Sequence, residues 1–134
     1  MIAGNETPAL AGVSVIVVED NFVVAQSLKW LLESFGCTFA GMAGTVDAAL
    51  GLIDSVDFDV AILDIALDKE DVAPVATRIR EVGRRLIYVT GYGDNEMLPE
   101  HLRDYPRLSK PVDPDRLVET ILETVSEAAP PAPS

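Results

Sequence analysis

The sequence predicts an α/β fold: a doubly wound, five-stranded parallel sheet with helices on both faces. Three observations predict it. Aliphatic strand-like runs alternate strictly with stretches whose apolar residues recur at helical spacing. Two of the runs, Val13 to Val18 and Val60 to Leu63, are apolar at nearly every position, as strands covered on both faces must be. Turn and capping residues stand between the runs at distances that leave room for a helical crossover each time.

The elements follow in order. Val13, Val15, Ile16, Val17 and Val18 form a β-branched first strand. Phe22, Leu28, Leu31, Leu32 and Phe35 mark a first helix, closed by Gly36 at the C-cap. Thr38 to Met42 is a short second strand, with Cys37 read into it. Thr45 caps a helix carrying Val46, Ala49, Leu50 and Ile53. The third strand, Val60 to Leu63, ends at Asp64, and Asp71 caps a helix with Val72, Val75, Ala76 and Ile79 that Gly83 closes. Leu86 to Val89 is a fourth strand ending at Thr90, and a short helix interrupted by Pro99 is expected near Asn95 to Arg103. Arg107 and Leu108 lie in a polar last strand. Asp113 and Pro114 then open a helix through Leu117, Val118, Ile121, Leu122 and Val125.

The chain has 134 residues, 49% of them hydrophobic and 24% charged, which suits one domain with a core that needs no disulfide or metal staple. That domain is expected over 12–127, between a loose N-terminal segment, 1–11, and a Pro/Ala-rich C-terminal one, 128–134. The formal charge of −12 repels phosphate backbones and anionic membranes, so direct DNA binding and membrane association are not expected. The longest nearly apolar run, Ala9 to Val18, is too short to span a bilayer, and the first basic residue is Lys29. With the single cysteine, Cys37, these features suggest a cytoplasmic protein, with Cys37 an inert buried thiol.

In parallel sheets, ligand chemistry gathers at the carboxyl ends of the strands. Glu19 and Asp20, Asp64, Thr90 and Lys110 all fall there. Carboxylates brought together stay ionised cheaply only around a cation, and an oxygen-only set favours Mg²⁺ or Ca²⁺. A carboxylate also serves as a nucleophile on phosphorus, giving an acyl phosphate, while a metal and a lysine neutralise the transferring group. Lys110 suits that lysine, and Thr90 supplies a hydroxyl for a phosphoryl oxygen.

The stretches Val15-Ile16-Val17-Val18-Glu19-Asp20, Ala61-Ile62-Leu63-Asp64, Val89-Thr90-Gly91 and Ser109-Lys110-Pro111 resemble the receiver domain of two-component response regulators. The resemblance implies the flavodoxin-like receiver fold and phosphorylation at Asp64. It also implies Mg²⁺ held by Glu19, Asp20, Asp64 and the backbone carbonyl of Ala66. Thr90 and Lys110 would contact the phosphoryl group, and the Lys110–Pro111 peptide would be cis. Implied partners are a sensor histidine kinase or histidine phosphotransfer protein and a downstream protein. Nothing read beyond the last helix suits a DNA-binding effector, so output would come through protein contact or by competition for phosphoryl groups, from a monomer or weak homodimer.

Two departures narrow the resemblance. Arg107 stands where typical receivers carry an aromatic residue, and Ile65-Ala66-Leu67-Asp68-Lys69-Glu70 replaces the usual loop after the acceptor. Both resemble the FAT GUY subgroup of alphaproteobacterial single-domain and stress-response regulators, whose signature Tyr88-Val89-Thr90-Gly91-Tyr92 approximates. The response to phosphorylation is then expected to rest on Thr90 and the signalling segment Gly91-Tyr92-Gly93, with Arg103, Arg107 and Arg116 marking a partner surface.

Rival readings fit less well. A flavin binder needs a hydroxyl- and Gly-rich phosphate loop where Glu19-Asp20-Asn21 stands. A phosphatase of the haloacid dehalogenase type needs a second acid that Asp64-Ile65-Ala66 lacks. A receiver acting as a phosphorylation-independent interaction module is the alternative left. His101 reads as an exposed histidine and Trp30 as a partly buried helix residue.

Overall fold

The computed structural model describes residues 8–67, 70–91 and 98–126. The chain runs β1 (Ser14–Val18), α1 (Phe22–Ser34), β2 (Thr38–Ala43), α2 (Val46–Ser55), β3 (Val60–Asp64), α3 (Ala73–Glu81), β4 (Arg85–Thr90), a 3-10 turn (Glu100–Leu102), β5 (Arg107–Ser109) and α4 (Pro114–Ser126). The strands form one sheet in the order β2-β1-β3-β4-β5, and every pairing is parallel. The α/β doubly wound sheet expected from the alternation is the one observed.

Side-chain alternation along the strands divides the core into two layers. Ile16, Val18, Ala61, Leu63, Leu86 and Tyr88 face α2 and α3, where Ala49, Ile53, Val75, Ala76 and Ile79 meet them. Val15, Val17, Val60, Ile62, Ile87, Val89 and Leu108 face α1 and α4, meeting Ala25, Leu28, Leu32, Leu117 and Ile121. β1, β3 and β4 are therefore covered on both faces, which is why their sequences read as continuous apolar runs. After β1 the chain moves to one side for β2 and crosses to the other for β3. The switch point thus opens a crevice at the carboxyl ends of β1 and β3.

Side chains cap three helices, and two of these caps, Thr45 and Asp113, are the ones the sequence predicts. Asn21 accepts from the N–H groups of Val23 and Val24, Thr45 from Ala48, and Asp113 from Arg116. At α3 the expectation is corrected. The N-cap position is Val72, with no side-chain bond, and Asp71 instead accepts from the Ala73 N–H one residue earlier in the turn. Pro74 in the first turn presets φ for the helix and supplies the start signal attributed to Asp71.

Other expectations shift. Of the helix read near residues 95–103, the described part holds a single 3-10 turn, Glu100–Leu102, with Pro99 at its N-cap; residues 95–97 of that reading lie outside the described residues. Phe22, read into the apolar stripe of α1, is 69% exposed, and Trp30, read as partly buried, is 64% exposed. Cys37 is buried in the turn before β2 rather than in the strand, and burial, with Asp59 and Glu33 nearby, pushes its thiol up to about 11. Leu10, placed by sequence in the loose N-terminal segment, is fully buried, and its N–H donates to the Phe35 carbonyl. Among the described residues no helix is long and apolar enough to cross a membrane.

Gly36 and Gly83 follow α1 and α3 with φ of +90° and +74°. A Cβ on Gly36 would clash with the Pro8 Cβ, whereas one on Gly83 would meet nothing within 4 Å. Gly83→Ala should therefore cost only the left-handed backbone term, about 1 kcal/mol. Gly36→Ala should cost roughly twice that, because the contact is added to the same term. Urea melts of both variants check this; equal losses would show that the Pro8 contact carries no energy.

Candidate functional site

The site is built where the fold ends its central strands. β1 delivers Glu19, 5% exposed, and then Asp20, which is exposed; β3 delivers Asp64, 2% exposed. Because β1 and β3 pair in parallel register, with Val18 opposite Leu63, the acids following them stand side by side. Carboxylate oxygens of Glu19, Asp20 and Asp64 all lie within 4.8 Å of one another.

Lys110 answers this charge from the far side of β4. Its backbone N–H donates to the Thr90 carbonyl, and its Nζ lies 2.9 Å from Asp64 Oδ2 and 3.5 Å from Glu19 Oε1. The Lys110–Pro111 peptide is cis. Asp64 Oδ1 accepts from the Ala66 N–H, and Glu19 Oε2 accepts from the Asn21 N–H. Thr90, 7% exposed, ends β4 between the acids and the lysine. Glu19, Asp20, Asp64, Ala66, Thr90, Lys110 and Pro111 are thus gathered at one end of the sheet. Gly91 and the half-buried Arg107 lie to its side, and Tyr92 and Gly93 lie outside the described residues.

Burial, reinforced by the bond and charge of Asp64, pushes the Glu19 carboxyl up to about 7, although the Asn21 N–H and Lys110 pull the other way. Burial alone would lower the Lys110 pKa, but the Asp64 bond and charge, followed by Glu19, hold it above its ordinary value. Lys110 therefore stays charged while the acids share too little compensating charge, the condition in which a cation is favoured. An all-oxygen set of three carboxylates, two of them buried, fits a hard divalent ion.

The sequence profile of the response regulator receiver domain matches residues 15–122. The chain belongs to that family. The acidic cluster Glu19, Asp20 and Asp64 is accordingly of the kind that forms receiver Mg²⁺ sites, and the domain is a signalling module of two-component systems, whose partners are histidine kinases. Among solved structures the receiver is similar to SdrG from Sphingomonas melonis, with 30% identity over 87% of this chain and 97% of that one and a TM-score of 0.72. The signal receiver domain of a modulated diguanylate cyclase from Desulfovibrio desulfuricans is 26% identical over 85% and 94% of the two chains, with a TM-score of 0.77. The receiver domain of Erythrobacter litoralis PhyR shares the fold, at 22% identity, 92% and 98% coverage and a TM-score of 0.76. No curated protein sequence matches the chain.

Two features of the receiver's site were not read from sequence. Glu70, in the loop after β3, accepts from the Val46 N–H and so joins that loop to the start of α2. This bond spans 24 residues, and no local pattern marks it. The second is an apolar groove of about 480 Å³ between α1 and the turn after β5, lined by Val23, Val24, Leu28, Leu31, Pro111 and the Lys110 stem among others. Val23 lies outside the buried stripe of α1, yet it was its exposure, 71%, that only the packing revealed.

The raised Glu19 pKa makes a signed prediction. Between the ordinary value of 4.5 and about 7 the folded protein binds more protons than the unfolded one, so ionising Glu19 costs metal-free stability as pH rises through that window. Glu19→Gln, which mimics the protonated acid, should match the parent in EDTA below pH ~4.5 and exceed it by on the order of 2 kcal/mol at pH ~8. Thermal melts across pH check it; a gap independent of pH would contradict the assignment.

Proposed function

We propose that this receiver is a single-domain response regulator of the FAT GUY subgroup, which accepts a phosphoryl group on Asp64 from the phosphohistidine of a kinase or phosphotransfer protein. It then signals by protein contact or acts as a phosphate sink. The observation that carries the proposal is the reach of Lys110 across β4 to Asp64, within the ring of Glu19 and Asp20. Asp64 Oδ1 accepts from the Ala66 N–H and Oδ2 from Lys110, so both carboxylate oxygens are held in place.

In the transfer, a carboxylate oxygen of Asp64 forms the new O–P bond as the N–P bond of the phosphohistidine breaks, and the imidazole leaves with its electron pair. Lys110 follows one of the phosphoryl oxygens, and the Thr90 hydroxyl donates to another. Glu19, Asp20, Asp64 and the Ala66 carbonyl would hold Mg²⁺, which neutralises phosphoryl charge when bound. The apolar groove on α1 shares Lys110 with the site, so a helix of the phosphodonor seated on Val23 and Val24 brings its histidine to the crevice mouth. The subgroup reading rests on Tyr88-Val89-Thr90-Gly91-Tyr92 and on Arg107 at the β5 position.

Asp64→Asn should abolish acid-labile labelling by a phosphohistidine donor and by acetyl phosphate, a loss of more than ~100-fold. Lys110→Ala should retain Mg²⁺ binding while slowing phosphorylation. Undiminished single-site labelling of the Asp64→Asn protein would overturn the assignment.

A further inference from the structure

Tyr88 is the largest fully buried side chain of the molecule's described residues, and it lies on the same face of β4 as Thr90, two residues before it. Its hydroxyl donates to the Leu102 carbonyl at 2.6 Å, and its backbone N–H donates to the Pro106 carbonyl. Its ring meets Tyr105 edge-on, with centroids 5.9 Å apart and planes at 87°. One residue of β4 thus holds the connection to β5 at three points. Burial pushes the Tyr88 pKa up, so the hydroxyl remains a donor at neutral pH.

Arg107 completes the arrangement. It pairs with Tyr88 in the β4–β5 register and donates from Nη2 to the Arg103 carbonyl, while Arg103 donates from Nε to the Leu98 carbonyl. The carbonyls of Leu98, Leu102 and Arg103 are therefore each held by a side chain. The 3-10 turn between them owes its position to these bonds as well as to buried Leu98 and Leu102. The aromatic ring absent from β5 is supplied on β4 instead, one strand nearer the acids.

We propose that the Tyr88 hydroxyl is a latch that ties the Glu100–Leu102 turn to β4 and opposes occupation of the phosphoryl site at Asp64. The latch belongs to the arrangement in which Lys110 pairs directly with Asp64. Drawing Thr90 toward a phosphoryl group moves the end of β4, and Tyr88 on the same face follows only by stretching its bond to Leu102. A bond present in one arrangement and lost in the other couples the two places reciprocally. Phosphoryl occupancy loosens the turn, and loosening the turn favours occupancy. The signal reaches the Arg103 and Arg107 surface by this route, with no rotating ring on β5. The latch rests on the reading of Asp64 as the phosphoacceptor.

Tyr88→Phe tests it, because the ring, its volume and the Tyr105 contact remain and only the hydroxyl goes. Beryllofluoride with Mg²⁺ serves as the phosphoryl probe, titrated against the full chain. The variant should bind about fivefold more tightly than the parent, the factor that one net hydrogen bond supplies. Hydrogen exchange at the Leu102 and Arg103 amides should quicken by a similar factor without the probe. Tyr105→Phe, which leaves the latch in place, should bind as the parent does. Equal or weaker binding by Tyr88→Phe overturns the latch and leaves the phosphoacceptor reading standing. A parent that does not bind the probe at all overturns both.

Discussion

The constraint on which the site depends is the crowding of Glu19, Asp20 and Asp64 at the ends of two neighbouring strands. Three carboxylates within 4.8 Å, two of them buried, repel one another in a medium that screens poorly. Lys110 offsets part of this, at 2.9 Å from Asp64 and 3.5 Å from Glu19. The compensation is incomplete: burial first, and then the bond and charge of Asp64, push Glu19 up to about 7. The same crowding that weakens the metal-free fold favours a divalent cation. Stability is given up where ligand chemistry is placed.

The sheet makes that crowding possible. β1 and β3 are covered on both faces by α1, α4, α2 and α3, so their ends cannot drift apart without disturbing both core layers. Lys110 reaches the acids because β4 separates β5 from β3 by only one strand, and because its own N–H is fixed to the Thr90 carbonyl. The loop after β3 is held in turn by Glu70 at the start of α2. Each functional side chain is thus anchored by a backbone bond or a rigid strand end, and the crevice keeps its shape between them.

On the β5 side, polar bonds stand where an aromatic contact would serve in a typical receiver. Arg107 is long and charged, and its guanidinium settles on the Arg103 carbonyl rather than in the core. The space beside β4 is filled by Tyr88 and Tyr105.

The sequence by itself determined the class of fold, the strand ends and the acids that meet there. Those features are periodic or local: β-branched runs such as Val15 to Val18, caps at Thr45 and Asp113, and glycines closing α1 and α3. Glu19, Asp20, Asp64, Thr90 and Lys110 were legible because parallel sheets place the ends of their strands together whatever the loops do. Only the tertiary structure decided that Phe22 and Trp30 lie outside the core, that Leu10 lies inside it, and that Asp71 does not cap α3. It alone joined Glu70 to Val46 and Tyr88 to Leu102. The reason is physical. Helical spacing says which residues share a stripe but not which stripe finds a neighbour. Hydrogen bonds across 14 or 24 residues depend on where the chain returns, and nothing local encodes that.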